Sequence, residues 1–328
     1  MPHANIWTRL KRVNKQMIGE QTLPGIGTFR LPITRNNLLL MLVAFAEIGM
    51  GVETYLAHLI SGSVKPMEAI PVFFGPAAGF VLLFAMFLRI RSGNSTFTTL
   101  IVMGVAAASV AVGVIGSAFH WARAVPPPGL GTQRLDFDWL VFAPPVVGPL
   151  AFAGVGILAI IAVLEDTKPE TGLLTLPGVL TFKTPLPQTR QFFWLVAFGL
   201  YAATLSAFLD HGRTAFENIF VWIPVVLGLF GSVVTTLMAV YHHHTKADYF
   251  TFFWVMVAMI LMGILGLGLH VNADLPEGPN GGVNIERFIR GAPVMAPMLF
   301  AIMGSFGIIA MIGAEVVNDE TSSTAVES

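Results

Sequence analysis

Apolar residues in this chain come in long blocks instead of the alternating or one-sided patterns of water-soluble elements. Eight runs stand out, at about 38–60, 70–88, 97–120, 143–164, 192–211, 219–241, 250–270 and 291–313. About 20 apolar residues suffice for a helix to cross a ~30 Å hydrocarbon layer. A backbone in lipid must satisfy its own hydrogen bonds, so unbroken runs of this length predict transmembrane helices. The polar stretches between them divide the chain into a basic arm (1–35), a first transmembrane block (36–165), a linker (166–191), a second block (192–315) and an acidic, Ser/Thr-rich tail (316–328).

The two blocks resemble each other. Gly113-Val114-Ile115-Gly116 ahead of His120 returns as Gly263-Ile264-Leu265-Gly266 ahead of His270, an offset of 150 residues. Leu56-Ala57-His58 before Ile70-Pro71 returns as Leu209-Asp210-His211 before Ile223-Pro224, an offset of 153. Ala143-Pro144 with Phe152-Ala153 returns as Ala292-Pro293 with Phe300-Ala301, and each Ala-Pro is expected to open its helix. Four spans per block is an even number, so both blocks enter the membrane in the same direction. The expected fold is all-α: eight transmembrane helices as two parallel, tandem four-helix repeats.

Composition agrees. The chain is 55% hydrophobic and 11% charged, with a mean hydropathy of +0.74. That excludes an ordinary soluble domain. An N-terminus on the cytoplasmic side places twelve Lys and Arg inside, Arg35, Arg89 and Arg190 among them, against six outside. This asymmetry predicts a multi-pass protein of the plasma membrane with both termini cytoplasmic. Trp121, Trp139 and Trp222 then mark the outer interface, and Trp194 and Trp254 the inner one. No secretory signal precedes the first span. Cysteine is missing altogether, which excludes disulfides, thiolate ligands and covalent c-type haem. No Walker A loop, dinucleotide fingerprint, nucleophile elbow or Schiff-base lysine within a span occurs, and nothing points to nucleic acid.

The polar residues inside this apolar background carry the candidate chemistry. His58, His120, His211 and His270 end the first, third, fifth and seventh spans, all on one side of the membrane. Two imidazoles on neighbouring helices can hold the iron of a b-type haem. Gly113 and Gly116, and Gly263 and Gly266, precede a histidine by four and seven residues on the same helix face. They offer either a smooth seat for a macrocycle or close helix packing. Arg123 and Arg213 are placed to pair with propionates. A bare metal site from His58 with Glu53, or His211 with Asp210, is the second option. Glu47, mid-span, and Glu53 mark a proton path by default. Its asymmetry is plain, because the counterpart of Glu47 is about Leu200. Tyr241-His242-His243-His244 is expected to snorkel at the inner interface.

Two consecutive four-helix bundles, each with an outer pair of histidines, resemble haem A synthase at the level of architecture. That resemblance implies haem but carries over no individual residue. The expected function is a membrane electron-transfer subunit binding up to two b-type haems. It would exchange electrons with quinol or a periplasmic redox subunit, as one component of an oxidoreductase complex. A non-redox scaffold or assembly subunit, and a small-molecule or ion permease, are the alternatives.

Overall fold

A computed structural model describes residues 19–60, 62–125, 137–168, 171–275 and 284–316. The first 18 residues, the centres of the loops 121–142 and 271–290 with Arg134, and the acidic tail from 317 onward lie outside the described residues. So does the side chain of Trp139.

Among the described residues, six helices are long and apolar enough to cross a membrane. They are α1 (Arg35–Leu59), α2 (Pro66–Ser92), α3 (Thr96–Ala124), α6 (Gln188–Gly212), α7 (Trp222–Val240, after a short 3₁₀ turn) and α8 (Lys246–Asp274). Their starts follow local chemistry. Thr34, Ser95 and Thr245 accept hydrogen bonds from backbone amides of the first turn, and Pro66 opens α2 where its missing N–H costs nothing. The lateral walls are strongly apolar, with Phe73 74% and Phe80 65% exposed. Such a surface suits lipid and not water. The protein is a multi-pass membrane protein.

The last apolar run of each block departs from expectation. Helix α5 (Leu150–Val163) has 14 residues and α10 (Met298–Ala310) has 13, about 20 Å at 1.5 Å per residue. The Ala-Pro steps do not open these helices. A residue before proline avoids the α region, and each run holds further proline beyond the Ala-Pro step, ending at Pro149 and Pro297. Ala143, Pro144 and Gly148 precede prolines, as do Ala292 and Ala296, so the chain stays irregular until Pro149 and Pro297 take the N-cap position. Two short helices, α4 (Phe137–Phe142) and α9 (Ile285–Arg290), precede these irregular segments.

The fold is also not purely helical. Gly19–Leu23 (β1) and Gly27–Leu31 (β2) pair antiparallel within the segment read as an arm, and Gly25, at a φ of 77°, closes their turn. The amide of Gly313 bonds to Thr22, fastening this hairpin to the end of α10. In the linker, Glu165–Lys168 (β3), Leu173–Leu176 (β4) and Leu180–Lys183 (β5) form an antiparallel sheet in that order. Both small sheets sit at the end of the bundle away from the four histidines.

Helix α1 packs along α2 and α5, and α3 packs along the same two, so α1 and α3 occupy opposite corners. Likewise α6 and α8 each pack along α7 and α10. The two sets meet where α1 touches α10 and α5 touches α6. Leu39, Leu40, Phe192, Phe193, Met256 and Phe306 fill the core between them.

Candidate functional site

The diagonal arrangement decides what the histidines can do. A residue at the end of α1 and one at the end of α3 point across the bundle instead of along one seam. His58 and His120 do so with ring centroids 6.0 Å apart and planes at 63°. His211 and His270 repeat this at 6.3 Å and 90°. All four rings are half-buried.

Hydrogen bonds set the tautomers. The Nδ1 of His120 lies 2.9 Å from the Pro145 carbonyl, and that of His270 2.8 Å from the Pro293 carbonyl. The Nδ1 of His58 lies 2.8 Å from the Thr54 carbonyl on its own helix. A carbonyl can only accept, so each Nδ1 carries the hydrogen and Nε2 carries the lone pair. A backbone carbonyl behind Nδ1 is the usual way of fixing a metal-binding imidazole.

The irregular segments explain why the acceptors exist. Carbonyls in residues 143–149 and 291–297 must be satisfied by protein at membrane depth; several accept amides of the following turn, as Val147, Gly148, Met295 and Ala296 do, and others accept from side chains. Ser117 donates to Val146 O at 2.8 Å, and Arg213 donates to Val141 O at 2.8 Å and Ala143 O at 3.3 Å. The proline signals for these segments were visible in the sequence, but not the fact that histidines would serve them.

Other sequence-derived candidates are placed differently. The four glycines do not line an open groove. A Cβ on Gly113 would run into the backbone of Ala153, and one on Gly116 would lie 3.0 Å from Pro149. On Gly263 it would lie 2.7 Å from the Ala301 amide, and on Gly266 2.7 Å from Pro297. The faces are filled by the starts of α5 and α10, so close packing is their role. Arg123 approaches Glu68 at 3.9 Å and Arg213 approaches Asp210 at the same distance, each beside its histidine pair. Glu68 was not singled out by sequence; its only signal was a place in the capping box of α2.

Glu53, whose Oε2 is buried without a hydrogen-bond partner, lies near the Met295 backbone and Asp210 of the other half. A crevice of about 10 Å³, one water's worth, lies among Ser206, Asp210, Arg213 and the irregular segment Pro145–Val147. Among the described residues no cluster of three or more His, Asp or Glu could hold a metal ion, and the His–carboxylate pairings do not assemble one.

Glu47 is fully buried, its Oε1 2.6 Å from Ser109 Oγ and its Oε2 without a protein partner. The histidine run splits. His242 and His243 are exposed, while His244 is buried, with Nε2 3.0 Å from the Met238 carbonyl at the end of α7. Burial holds its pKa below the usual imidazole value. Arg190 joins it, donating to Ala239 O and Val240 O at 2.8 and 2.7 Å, so one helix end is capped by two basic side chains.

No family model, curated protein or solved structure matches this chain.

Proposed function

We propose that the protein is an electron-transfer subunit of the plasma membrane, with His58/His120 and His211/His270 each holding the iron of a b-type haem. In this reading the chain crosses the bilayer eight times as two tandem four-helix units. The irregular segments 143–149 and 291–297 complete the short fourth spans. The histidine end faces outward and both termini are cytoplasmic, because Arg35, Arg89, Arg91, Lys168, Lys183, Arg190 and Lys246 gather at the opposite end.

The observation that carries the reading is the pair of imidazole couples on diagonal helices, 6.0 and 6.3 Å apart. Haem suits such couples better than a bare ion does. A porphyrin already supplies four nitrogens and needs only two more ligands, whereas zinc or copper asks the protein for three or four. The carbonyls of Thr54, Pro145 and Pro293 orient the rings and leave the lone pair on Nε2. The glycine faces are occupied, so the four imidazoles alone are the residues that fit the group. Haem, when bound, supplies one-electron chemistry, with quinol or a periplasmic subunit as the exchange partner. Glu53 and Glu47 are the groups available to carry the accompanying proton.

An absorption spectrum of the purified, washed protein tests this. A Soret band is expected, reduced by about half in His120→Ala. A colourless protein expressed with adequate haem contradicts it. One observation favours a second reading, a non-redox scaffold: His120 and His270 tie the ends of α3 and α8 to the irregular segments through the Pro145 and Pro293 carbonyls. That role predicts loss of stability without any pigment.

A further inference from the structure

Strand β5 is the outer strand of its sheet, and its two faces are unlike. Leu174 on β4 is fully buried and Leu176 packs against the bundle core, so this face looks down onto the helix ends. Register places Phe182 opposite Leu174 and Leu180 opposite Leu176, which makes them leave from the same face. Yet Leu180 is 51% and Phe182 36% exposed. The strand therefore overhangs the edge of the bundle with its apolar face turned down. On the other face the hydroxyls of Thr167, Thr175 and Thr181 form a ladder at 2.7 and 2.9 Å, and Lys183 sits in register with Leu173.

What lies below the overhang follows from its neighbours. Thr96, the first residue of α3, donates to the Gly178 carbonyl in the β4–β5 turn at 3.3 Å. Phe97 and Leu100, the next residues along α3, are 63% and 58% exposed on the lateral apolar wall. The downward face of β5 thus continues the surface that contacts lipid.

We infer that β5 is an interfacial strand lying on the bilayer. Leu180 and Phe182 enter the boundary between headgroups and acyl chains, and Thr181 stays in water. Lys183 remains at headgroup level, where anionic lipid attracts it. The inference rests on the membrane reading of the helices and not on haem.

The chain contains no cysteine, so Leu180→Cys, Thr181→Cys, Phe182→Cys and Lys183→Cys each give a single labelling site. The full chain is reconstituted in phosphatidylcholine–phosphatidylglycerol vesicles and labelled with an environment-sensitive fluorophore. Nitroxide-bearing lipid should quench positions 180 and 182 several-fold more than 181 and 183, with iodide in water showing the opposite order. Equal quenching at all four positions would overturn the inference. So would shielding of 180 and 182 from both quenchers, which would mean that protein covers the strand.

Discussion

Beneath the His58/His120 couple, α1 and α3 are bridged by Glu47 and Ser109; beneath His211/His270, the positions at the same offsets are Leu200 and Met259, both fully buried. The ends of the two helix pairs carry the same imidazoles, while their middles differ in kind. Two conclusions follow. The histidine geometry does not depend on a polar core, because it forms above an apolar one equally well. The carboxyl of Glu47 should correspondingly be dispensable for folding: Leu200 and Met259 fill the same place in the other half, and replacing a buried polar pair with apolar residues is often neutral or stabilising. The polar pair is thus a feature of the first half alone.

The largest expected effect comes from reversing this difference. Leu200→Glu places a carboxyl in an apolar core without a partner and should cost about 3 kcal/mol. Adding Met259→Ser should recover part of that loss in a denaturant titration of the detergent-solubilised protein. The opposite exchange, Glu47→Leu with Ser109→Met, should change stability by less than about 1 kcal/mol. A large loss there would make Glu47 structural and undo the contrast.

Next in size are the glycines, where the halves should agree. Gly113→Ala and Gly263→Ala each force a helix start away from its neighbour and should cost about 1–3 kcal/mol. Tolerance in one half only would show that the two contacts are not equivalent. His120→Ala and His270→Ala should each lose about 1 kcal/mol in cofactor-free protein, the net worth of one hydrogen bond to an irregular segment. His211→Ala, whose ring has no such bond to an irregular segment among the described contacts, should lose less.

The smallest effect belongs to His244, at the opposite end of the molecule. Its folded pKa lies below the ordinary value of 6.5 because burial disfavours the cation. The unfolded chain therefore binds the proton more readily. Stability is complete above pH 6.5 and declines as pH falls toward the folded pKa. His244→Gln should flatten this acid-side decline in melting temperature, and an unchanged slope would assign it to other groups.

Much of this was legible in the letters, and the rest was hidden for definite reasons. Long apolar runs identify the six long helices because length and composition alone decide that question. The histidine couples emerged from the repetition of His58 and His120 at His211 and His270. Whether the glycines face a ligand or a helix was undecidable, since both roles require a small residue at the same spacing. The short α5 and α10 were hidden because hydropathy runs smoothly through Ala143–Pro149 and Ala292–Pro297, although the last proline in each, Pro149 and Pro297, held the information. The strands at 19–31 and 165–183 escaped because short Thr-rich segments between helices read as linkers. Their pairing depends on register, which composition does not express.

The most direct test of the central proposal is the visible spectrum of purified protein beside those of His120→Ala and His270→Ala. A Soret band that survives washing, falls by about half in each variant and disappears in the double variant is the expected result. A folded protein without pigment, or a band indifferent to both substitutions, would contradict haem ligation by these imidazoles.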